Sequence, residues 1–167
     1  MYSELDADYE LSEDSWSEPT SEYLLADPPV TILDGISIGN FIHANGAHDY
    51  DVIYSIGYGI DDENKYLDPT SGYKYFDLGD TTNDDLASIL SDVLPQIRED
   101  VLLGRKVYLH CHLGQSRSPA VLAGYLVKYH GCTDDVALQL IYALRENAWV
   151  NPAFRRQLSE YAQSLKR

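Results

Sequence analysis

No lysine or arginine precedes Lys65 in this chain of 167 residues, whereas 15 aspartates and glutamates do. The remaining 12 acidic residues are balanced by all 12 basic ones, so the net charge of −15 lies entirely in the first 64 positions. Such a charge repels phosphate backbones and anionic lipid headgroups at long range. Generic binding to nucleic acid or to a membrane surface is therefore disfavoured, and any phosphate site has to be built locally.

Cysteine is scarce, and long apolar runs are missing. The two cysteines, Cys111 and Cys132, make no disulfide framework, which favours a reducing, intracellular location. The longest apolar stretch, 120–127, is far shorter than a membrane span, and the N-terminus lacks the basic and apolar regions of a secretory signal. We therefore expect a cytoplasmic protein, with a nuclear location as the alternative. The sequence leaves the oligomeric state open.

Residues 1–29 form an acidic arm that ends in Asp27-Pro28-Pro29. This arm carries nine acidic residues and six serines and threonines, a composition that predicts a tail or a loosely docked segment. It is interpreted either as a solubilising segment or short helix, or as a docking or regulatory segment with a basic partner. The helix would pack through apolar side chains of the arm, namely Tyr9, Leu11, Trp16, Tyr23, Leu24 and Leu25. Residues 30–167 are predicted to form one folded domain.

Strands and helices alternate from residue 30 onward, which predicts an α/β fold with a central mixed, mostly parallel sheet flanked by helices. Strands are predicted at 30–33, 36–39, 50–56, 73–78 and 106–110, and an Asp34-Gly35 turn joins the first two. The spacing of apolar residues predicts helices over 84–103, 117–130, 133–146 and 152–165. Pro95 predicts a kink or a break in the first of these helices.

The segment HCHLGQSRSP, residues 110–119, follows a buried strand and runs directly into a helix. A helix N-terminus directs backbone N–H groups and the positive end of the helix dipole at such a loop, which makes an anion site without an excess of lysine. Gly114 allows a positive φ or a close backbone approach, and Pro119 suits the first helical turn. The predicted phosphate-binding loop consists of His112, Leu113, Gly114, Gln115, Ser116 and Arg117.

Cys111 lies at the rim of this loop, where the amides, the dipole and Arg117 would stabilise its thiolate. A stabilised thiolate is a nucleophile at neutral pH. Arg117 can hold two phosphate oxygens with its planar fork, and Ser118 is placed to hydrogen-bond the thiolate and ease its departure. The residues therefore predict a site that binds a phosphoryl group over a nucleophile.

The segment resembles the signature of the cysteine-dependent dual-specificity protein phosphatases, His-Cys-x-x-Gly-x-x-Arg-Ser/Thr, at every defined position. The small, single-domain, atypical members are the nearest in size. Three further segments are similar to that family, namely ILDGISIGNFIHAN (32–45), YKYFDLGD (73–80) and NPAFRRQLSEY (151–161). The resemblance covers about residues 30–165 and leaves the acidic arm out.

The resemblance implies a two-step mechanism. Cys111 attacks phosphorus while Asp80 protonates the departing oxygen, and Asp80 then acts as base on the water that hydrolyses the phosphocysteine. The amides of 112–117 and the Arg117 guanidinium would hold the developing charge, and His110 would orient the loop. No metal or cofactor is required.

The general acid has one alternative. Asp84 is the second candidate after Asp80, although Asp84 and Asp85 fit a helix start better, where a carboxylate favours the dipole. Asp77 lies inside a predicted strand.

Phosphoproteins carrying phospho-Tyr and phospho-Ser/Thr are the substrates that the resemblance implies. The alternatives are a pseudophosphatase that binds phosphoproteins without turnover, or a phosphatase of phosphoinositides or RNA 5′ ends. Lipid-directed relatives carry lysine in the signature loop, which this chain lacks, and its acidic half opposes polyanionic substrates.

The cysteines and nearby histidines could also be interpreted as zinc ligands. The ligand types are present in Cys111, His112, His130 and Cys132. A helix of about 20 Å separates the first two from the last two, however, which excludes shared coordination and a disulfide alike.

Overall fold

The computed structural model describes residues 18–45, 49–59 and 72–166, and within them five strands form one sheet. The strands are β1 (Val30–Leu33), β2 (Ile36–Gly39), β3 (Val52–Ile56), β4 (Gly72–Phe76) and β5 (Val107–His110). Their order is β1-β2-β5-β3-β4, with β1 antiparallel to β2 and every other pair parallel. The predicted mixed, mostly parallel sheet is confirmed.

The first two strands form the predicted hairpin. Asp34 and Gly35 both have positive φ, 53° and 73°, as a two-residue turn of the type I′ class requires. Every residue of β2, β3 and β5 is buried. This is typical of parallel strands covered on both faces, and it explains their almost continuous apolar sequence.

Four long helices cover one face of the sheet and enclose the main core. They are α3 (Leu86–Leu102), α4 (Arg117–His130), α5 (Asp134–Leu144) and α6 (Pro152–Leu165). Two short helices, α1 (Ser21–Leu25) and α2 (Phe41–Asn45), precede them in the chain. A smaller cluster of Ala44, Ile53 and Tyr108 places α2 against the other face of the sheet. Among the described residues, no helix is both long and apolar enough to cross a bilayer.

Helix α3 continues through Pro95, so of the predicted kink or break the break is wrong. Pro95 is exposed, whereas its neighbours Val93, Leu94 and Ile97 are buried. The backbone hydrogen bond that proline removes therefore lies on the solvent side of the helix, where water can serve the freed carbonyl. Asp85 caps the helix by accepting from Ser88 N, as expected for a carboxylate at a helix start.

Helix α4 is the centre of the domain. Its residues 118–127 are all buried, and it packs against α3, α5 and α6. Its bounds and those of α6 match the predicted ranges, whereas α5 ends two residues earlier than predicted. Arg145, the residue after α5, has an extended backbone (φ −130°, ψ 99°). The chain changes direction here, and the Arg145 side chain points back under the phosphate-binding loop.

The described part of the acidic arm, residues 18–29, is packed on the domain and is not a free tail. Thr20 caps α1, and Leu24 is 3% exposed. Asn40 Nδ2 donates to the Leu24 carbonyl over 2.9 Å, and Asp27 pairs with Arg145 over 2.8 Å. Tyr23 and Leu25 are more than half exposed, so they do not pack as predicted. The predicted contacts of Tyr9, Leu11 and Trp16 lie outside the described residues, and the domain boundary at residue 29 stays a prediction.

Candidate active site

Cys111 follows β5 directly, at the edge of the sheet where the carboxyl ends of the parallel strands meet. Ligands bind at this edge in open α/β sheets. The cysteine is 2% exposed, and its Sγ lies 3.3 Å from Ser118 Oγ. Because a thiolate can only accept a hydrogen bond, Ser118 is the donor when Cys111 is ionised. The structure thus brings the two residues together as the sequence predicted.

The carbonyl groups of the loop all point outward to donors. The pairs are Cys111 O with His110 Nδ1 (2.8 Å), His112 O with Phe41 N (3.0 Å), Leu113 O with Arg145 Nη2 (3.1 Å), Gly114 O with Arg145 Nε (2.8 Å), Gln115 O with Trp149 N (2.6 Å) and Ser116 O with Ala120 N (2.9 Å). In a planar trans peptide the N–H points opposite to the C=O. The amides of 112–117 are therefore turned toward the inside of the loop, where a phosphoryl group would lie.

Gly114 is required by the backbone of this loop. Its φ is +72°, a conformation that costs other residues energy. A Cβ at this position would lie 2.6 Å from Arg145 Nη2 and 2.6 Å from the Gly39 carbonyl group. Both predicted reasons for this glycine, the positive φ and the close approach, are confirmed.

Arg117 is held by two backbone carbonyls from the residues that follow β3 and β4. Its Nη1 donates to Gly57 O over 3.1 Å and to Leu78 O over 3.3 Å. A Cβ at Gly57, whose φ is +71°, would lie 1.9 Å from Leu78 O and 2.6 Å from the guanidinium, so only glycine leaves room for it. The guanidinium therefore has a fixed direction before any substrate arrives.

His110 is completely buried behind Cys111. Its Nδ1 faces the Cys111 carbonyl, which can only accept, so Nδ1 carries the proton. Nε2 lies 2.5 Å from Ser55 Oγ and accepts from that hydroxyl. Burial, with a smaller effect of the Arg117 charge, lowers the pKa of His110 to about 4. The ring is neutral at physiological pH and fixes the direction of one loop carbonyl, in agreement with a supporting role.

The loop after β4 carries the two candidate acids. Asp80 is exposed and accepts from Asn151 Nδ2 over 2.7 Å. Asp84 accepts from the Thr81 hydroxyl and from the amides of Thr81 and Gly79, and these hydrogen bonds, that of the hydroxyl first, lower the pKa of Asp84. Asp84 thus shapes the loop as a carboxylate, whereas Asp80 lies at the pocket. Asp77 is exposed just after β4 and not within it.

A small pocket of about 100 Å³ lies over Cys111. Its lining consists of Asp80, Cys111, His112, Leu113, Gln115, Ser116 and Arg117. All seven were predicted site residues. Drug-sized ligands occupy cavities of roughly 300–1,000 Å³, so this pocket fits a phosphoryl group and little more. The rest of a substrate has to lie on the surrounding surface.

A second cavity of about 480 Å³ adjoins this pocket and shares Leu113 and Gln115 with it. The arm supplies much of its wall through Glu18, Pro19, Thr20, Tyr23, Leu24 and Asp27. Glu18 Oε2 also lies 3.2 Å from His112 Nε2 at the rim of the catalytic pocket, and the His112 ring stacks on Tyr58 with centroids 4.3 Å apart. The arm therefore borders the site.

Three residues that organise the site were missed by the sequence analysis. Asn151 entered the prediction only as the first residue of the segment 151–161, yet it caps α6 and also holds Asp80. Gln157 accepts from Leu86 N over 2.8 Å and donates to Asp84 O over 2.9 Å, which ties the acid loop to α6. Both belong to the segment 151–161 that carried the resemblance, so a signal existed. Arg145 had no local signal, because its partners are 31 or more positions away.

The residues of the rejected zinc set do not come together. His130 ends α4, at the opposite end from Cys111, and its Nε2 donates to Asp34 Oδ2 over 2.6 Å. Cys132 follows two residues later and is free, as is Cys111. Among the described residues, no group of three or more metal-ligating side chains is close enough to hold a metal ion.

Comparison with known proteins agrees with this geometry. A family model described as dual specificity phosphatase, catalytic domain, matches residues 42–164. Dual specificity protein phosphatase 1B of Arabidopsis thaliana is 31% identical over 94 residues, which are 56% of each chain. Dual specificity protein phosphatase 19 of Mus musculus is 29% identical over 109 residues, 65% of this chain and 48% of the relative. This chain spans about half the length of these two relatives.

A solved structure shares the fold over nearly the whole chain. The crystal structure of a mouse putative dual specificity phosphatase complexed with zinc tungstate superposes with a TM-score of 0.76 at 24% identity. The superposition covers 92% of this chain and 95% of the mouse chain. At this identity the likeness establishes the α/β fold.

Proposed function

The chain belongs to the dual-specificity phosphatase catalytic-domain family, and on that premise we propose that it hydrolyses phosphate monoesters in phosphoproteins, on phospho-Tyr and phospho-Ser/Thr alike. One observation carries the proposal. The Cys111 sulfur lies beside a loop whose six carbonyls are turned outward, in one pocket with Arg117 and Asp80. The arrangement combines a nucleophile, an oxyanion site and an acid.

In the first step the Cys111 thiolate forms a bond to phosphorus while the bond from phosphorus to the ester oxygen breaks. Protonated Asp80 gives its proton to that oxygen, so the product leaves as a neutral alcohol or phenol. The inward amides of 112–117 and the fixed Arg117 guanidinium hold the charge on the phosphoryl oxygens. Because these groups are already in position, they need no reorganisation during the reaction.

In the second step water attacks the phosphocysteine. The Asp80 carboxylate takes a proton from the water. The water oxygen bonds to phosphorus as the bond between sulfur and phosphorus breaks. Ser118 donates to the sulfur as it leaves as a thiolate. Inorganic phosphate is released, and Asp80 is protonated again for the next cycle.

A protein substrate is favoured over a phosphoinositide or an RNA 5′ end. The pocket of about 100 Å³ takes one phosphoryl group, and the loop contains no lysine for a second one. Glu18, whose side chain is 59% exposed, stands at the rim beside His112 and repels polyanionic headgroups. A phosphorylated side chain on a peptide meets these conditions, since it brings a single phosphate.

The test is turnover of p-nitrophenyl phosphate and of peptides carrying phospho-Tyr, phospho-Ser or phospho-Thr. The wild-type chain is expected to cleave all of them, Cys111→Ser none, and Cys132→Ser, which changes the other free thiol, as the wild type does. Equal, negligible turnover by the wild type and Cys111→Ser would favour a pseudophosphatase instead. Cleavage of phospho-Tyr alone would contradict dual specificity.

We also propose that the acidic arm favours substrates or partners with basic residues. The cavity beside the catalytic pocket combines the Glu18 carboxylate with the apolar surfaces of Pro19 and Leu24, which suits a lysine or arginine stem and head. Peptides with lysine beside the phosphoresidue should be cleaved faster than matched peptides with glutamate, and Glu18→Gln should reduce the difference. Deleting residues 1–17 lowers the rate on lysine peptides if those residues steer substrates, and raises it if they inhibit.

A cytoplasmic location is proposed on chemical grounds. The reaction needs Cys111 as a free thiolate, which a reducing compartment preserves. Fractionation of cells that express the tagged chain should place it in the soluble cytoplasmic fraction. Recovery in the nuclear fraction would support the alternative.

A further inference from the structure

Arg145 lies directly beneath the phosphate-binding loop, with its side chain 1% exposed. Its Nε donates to Gly114 O over 2.8 Å, and its Nη2 donates to Leu113 O over 3.1 Å. One rigid guanidinium thus holds two successive peptide groups of the loop. Arginine can do this because its donors stand in a fixed planar fork, which a lysine ammonium lacks.

Holding these two carbonyls determines where two amides point. The N–H of Gly114 shares a peptide plane with the Leu113 carbonyl, and the N–H of Gln115 shares one with the Gly114 carbonyl. Because each plane is rigid, a carbonyl that points down to Arg145 sends its N–H up into the loop. Arg145 therefore orients two of the six donors available to a bound oxyanion, although it does not line the catalytic pocket.

The acidic arm supplies the counter-charge for this buried cation. Asp27 Oδ2 accepts from Arg145 Nη2 over 2.8 Å and Asp27 Oδ1 from Nη1 over 3.2 Å, a bidentate pair. Asn147 Nδ2 and Asn40 Nδ2 donate to Asp27 Oδ2 over 3.2 and 3.3 Å, which keeps the carboxylate in place. A buried charge is tolerated only when it is paired and hydrogen-bonded. Arg145 thus depends on Asp27 for its position.

We propose that Asp27 and Arg145 together are positioning residues for the phosphate-binding loop, so that a carboxylate of the N-terminal arm sets the oxyanion affinity of the site. The chain of contacts runs from Asp27 to Arg145, from Arg145 to two loop carbonyls, and from their peptide planes to the amides of Gly114 and Gln115. Its effect on turnover rests on the proposed phosphatase function. Its effect on oxyanion binding does not.

The experiment compares Asp27→Asn and Arg145→Lys with the wild type and two controls. The matched controls are Glu22→Gln, an exposed acid of the same arm, and Arg156→Lys, an exposed arginine of α6. The dissociation constant of tungstate, a tetrahedral oxyanion, is measured by calorimetry at a temperature where circular dichroism shows each variant folded. Steady-state kinetics with p-nitrophenyl phosphate are measured in parallel.

Both test variants are expected to bind tungstate more weakly and to lose kcat/KM by about 10- to 100-fold, as displacement of catalytic groups by about 1 Å does. The controls should match the wild type. Asp27→Glu, which keeps the charge, should regain most of the tungstate affinity lost in Asp27→Asn. The double variant should lose less than the product of the single losses, because both residues act through the same two carbonyls.

Folded variants with wild-type tungstate affinity would overturn the proposal, whatever their melting temperature. If Arg145→Lys does not fold, Asp27→Asn decides. If neither folds, Asn147→Ala decides, since it removes one donor to the Asp27 carboxylate: weaker tungstate binding supports positioning, and wild-type affinity contradicts it. A wild-type chain that binds tungstate without turning over p-nitrophenyl phosphate would refute the proposed function, while the tungstate comparison would still judge the role of Arg145.

Discussion

Cys111, Arg117 and Asp80 are held in place by residues far from them in the sequence. His110, which precedes Cys111, is fixed by Ser55 from the neighbouring strand. The carbonyls of Gly57 and Leu78 fix Arg117. The side-chain amide of Asn151 fixes Asp80. The reacting residues therefore meet in a geometry that exists before a substrate binds. In many enzymes, preorganisation of this kind makes the largest contribution to the rate enhancement.

The two acids of the loop after β4 are expected to respond differently to substitution. Asp80→Asn should lower kcat by about 10²- to 10⁴-fold and abolish the alkaline limb of the pH–rate profile, because the group that protonates the leaving oxygen is lost. Asp84→Asn should keep that limb, because Asp84 does not line the pocket over Cys111 and an asparagine oxygen still accepts from Thr81. Stopped-flow or steady-state rates between pH 5 and 8 would separate them. Loss of the limb in Asp84→Asn alone would make Asp84 the acid.

His110 is expected to make the fold sensitive to mild acid. Its pKa is about 4 in the folded chain and 6.5 as a free side chain, so the unfolded state takes up a proton first as the pH falls. Folding stability attributable to this histidine is complete above pH 6.5 and is lost as the pH falls toward 4. Between pH 7 and 5 the loss amounts to about 2 kcal/mol.

Urea unfolding at pH 7, 6 and 5 measures this loss, and His110→Asn is the comparison because it removes the titrating group. The wild type should lose more unfolding free energy over that range than His110→Asn. Parallel slopes for the two proteins would show that His110 is not the origin of the acid sensitivity.

Helix α6 has two tasks at the scale of secondary-structure elements. Its buried face packs on α4 and α3, and its first two turns reach the acid loop through Asn151 and Gln157. The same residues that start the helix therefore position the loop that carries Asp80. Any shift of α6 relative to α4 would move Asp80 relative to Cys111, since α4 begins at Arg117 directly after the phosphate-binding loop.

Helix α3 is expected to gain stability when Pro95 is replaced. Pro95→Ala restores a backbone hydrogen bond at an exposed position and should raise the free energy of unfolding by about 1–3 kcal/mol, the upper figure being the difference in helix propensity. Chemical denaturation measures the change. Glu99→Ala, an exposed substitution in the same helix, should change it by less than about 0.5 kcal/mol. A destabilised Pro95→Ala would show that the proline ring makes contacts worth more than the hydrogen bond.

At the scale of the whole molecule, the acidity of the chain has a structural part. Asp27 neutralises a buried arginine, and Glu18 lies against a loop histidine, so at least part of the arm's charge serves the domain. The segment from Lys65 onward is neutral by count, and its phosphate site obtains positive potential from amides, a helix end and Arg117. A strongly acidic chain is thereby compatible with an anion site.

Two truncations are expected to differ sharply. Removing residues 1–28 deletes Leu24 and Asp27 and leaves Arg145 buried without a counter-charge, which should cost about 3–5 kcal/mol of unfolding free energy and lower Tm. Removing residues 1–17 keeps every described contact of the arm and should leave Tm within about 2 °C. Differential scanning calorimetry on both proteins provides the measurement. Equal Tm values for the two truncations would show that residues 18–28 do not stabilise the domain.

The sequence alone determined the features that depend on neighbouring residues. Three features follow from short-range backbone preferences and show in a few consecutive residues: the Asp34-Gly35 hairpin, the start of α3 at Asp85, and the strand, loop and helix around Cys111. The family resemblance extended the prediction to Asp80, because the segment YKYFDLGD (73–80) is similar to the family's strand that carries the general acid. The alternation of strands and helices was also sufficient to predict an α/β fold with a central sheet.

Only the tertiary structure decided how distant segments meet. The burial of Arg145, its pairing with Asp27 across 118 positions and its grip on two loop carbonyls depend on where α5 ends and how the arm docks. The uninterrupted course of α3 likewise depends on Pro95 facing solvent. A buried cation requires an anion beside it, and a buried carbonyl requires a hydrogen-bond donor. These partners are close in space but distant in the sequence, so no periodic pattern of residues predicts them.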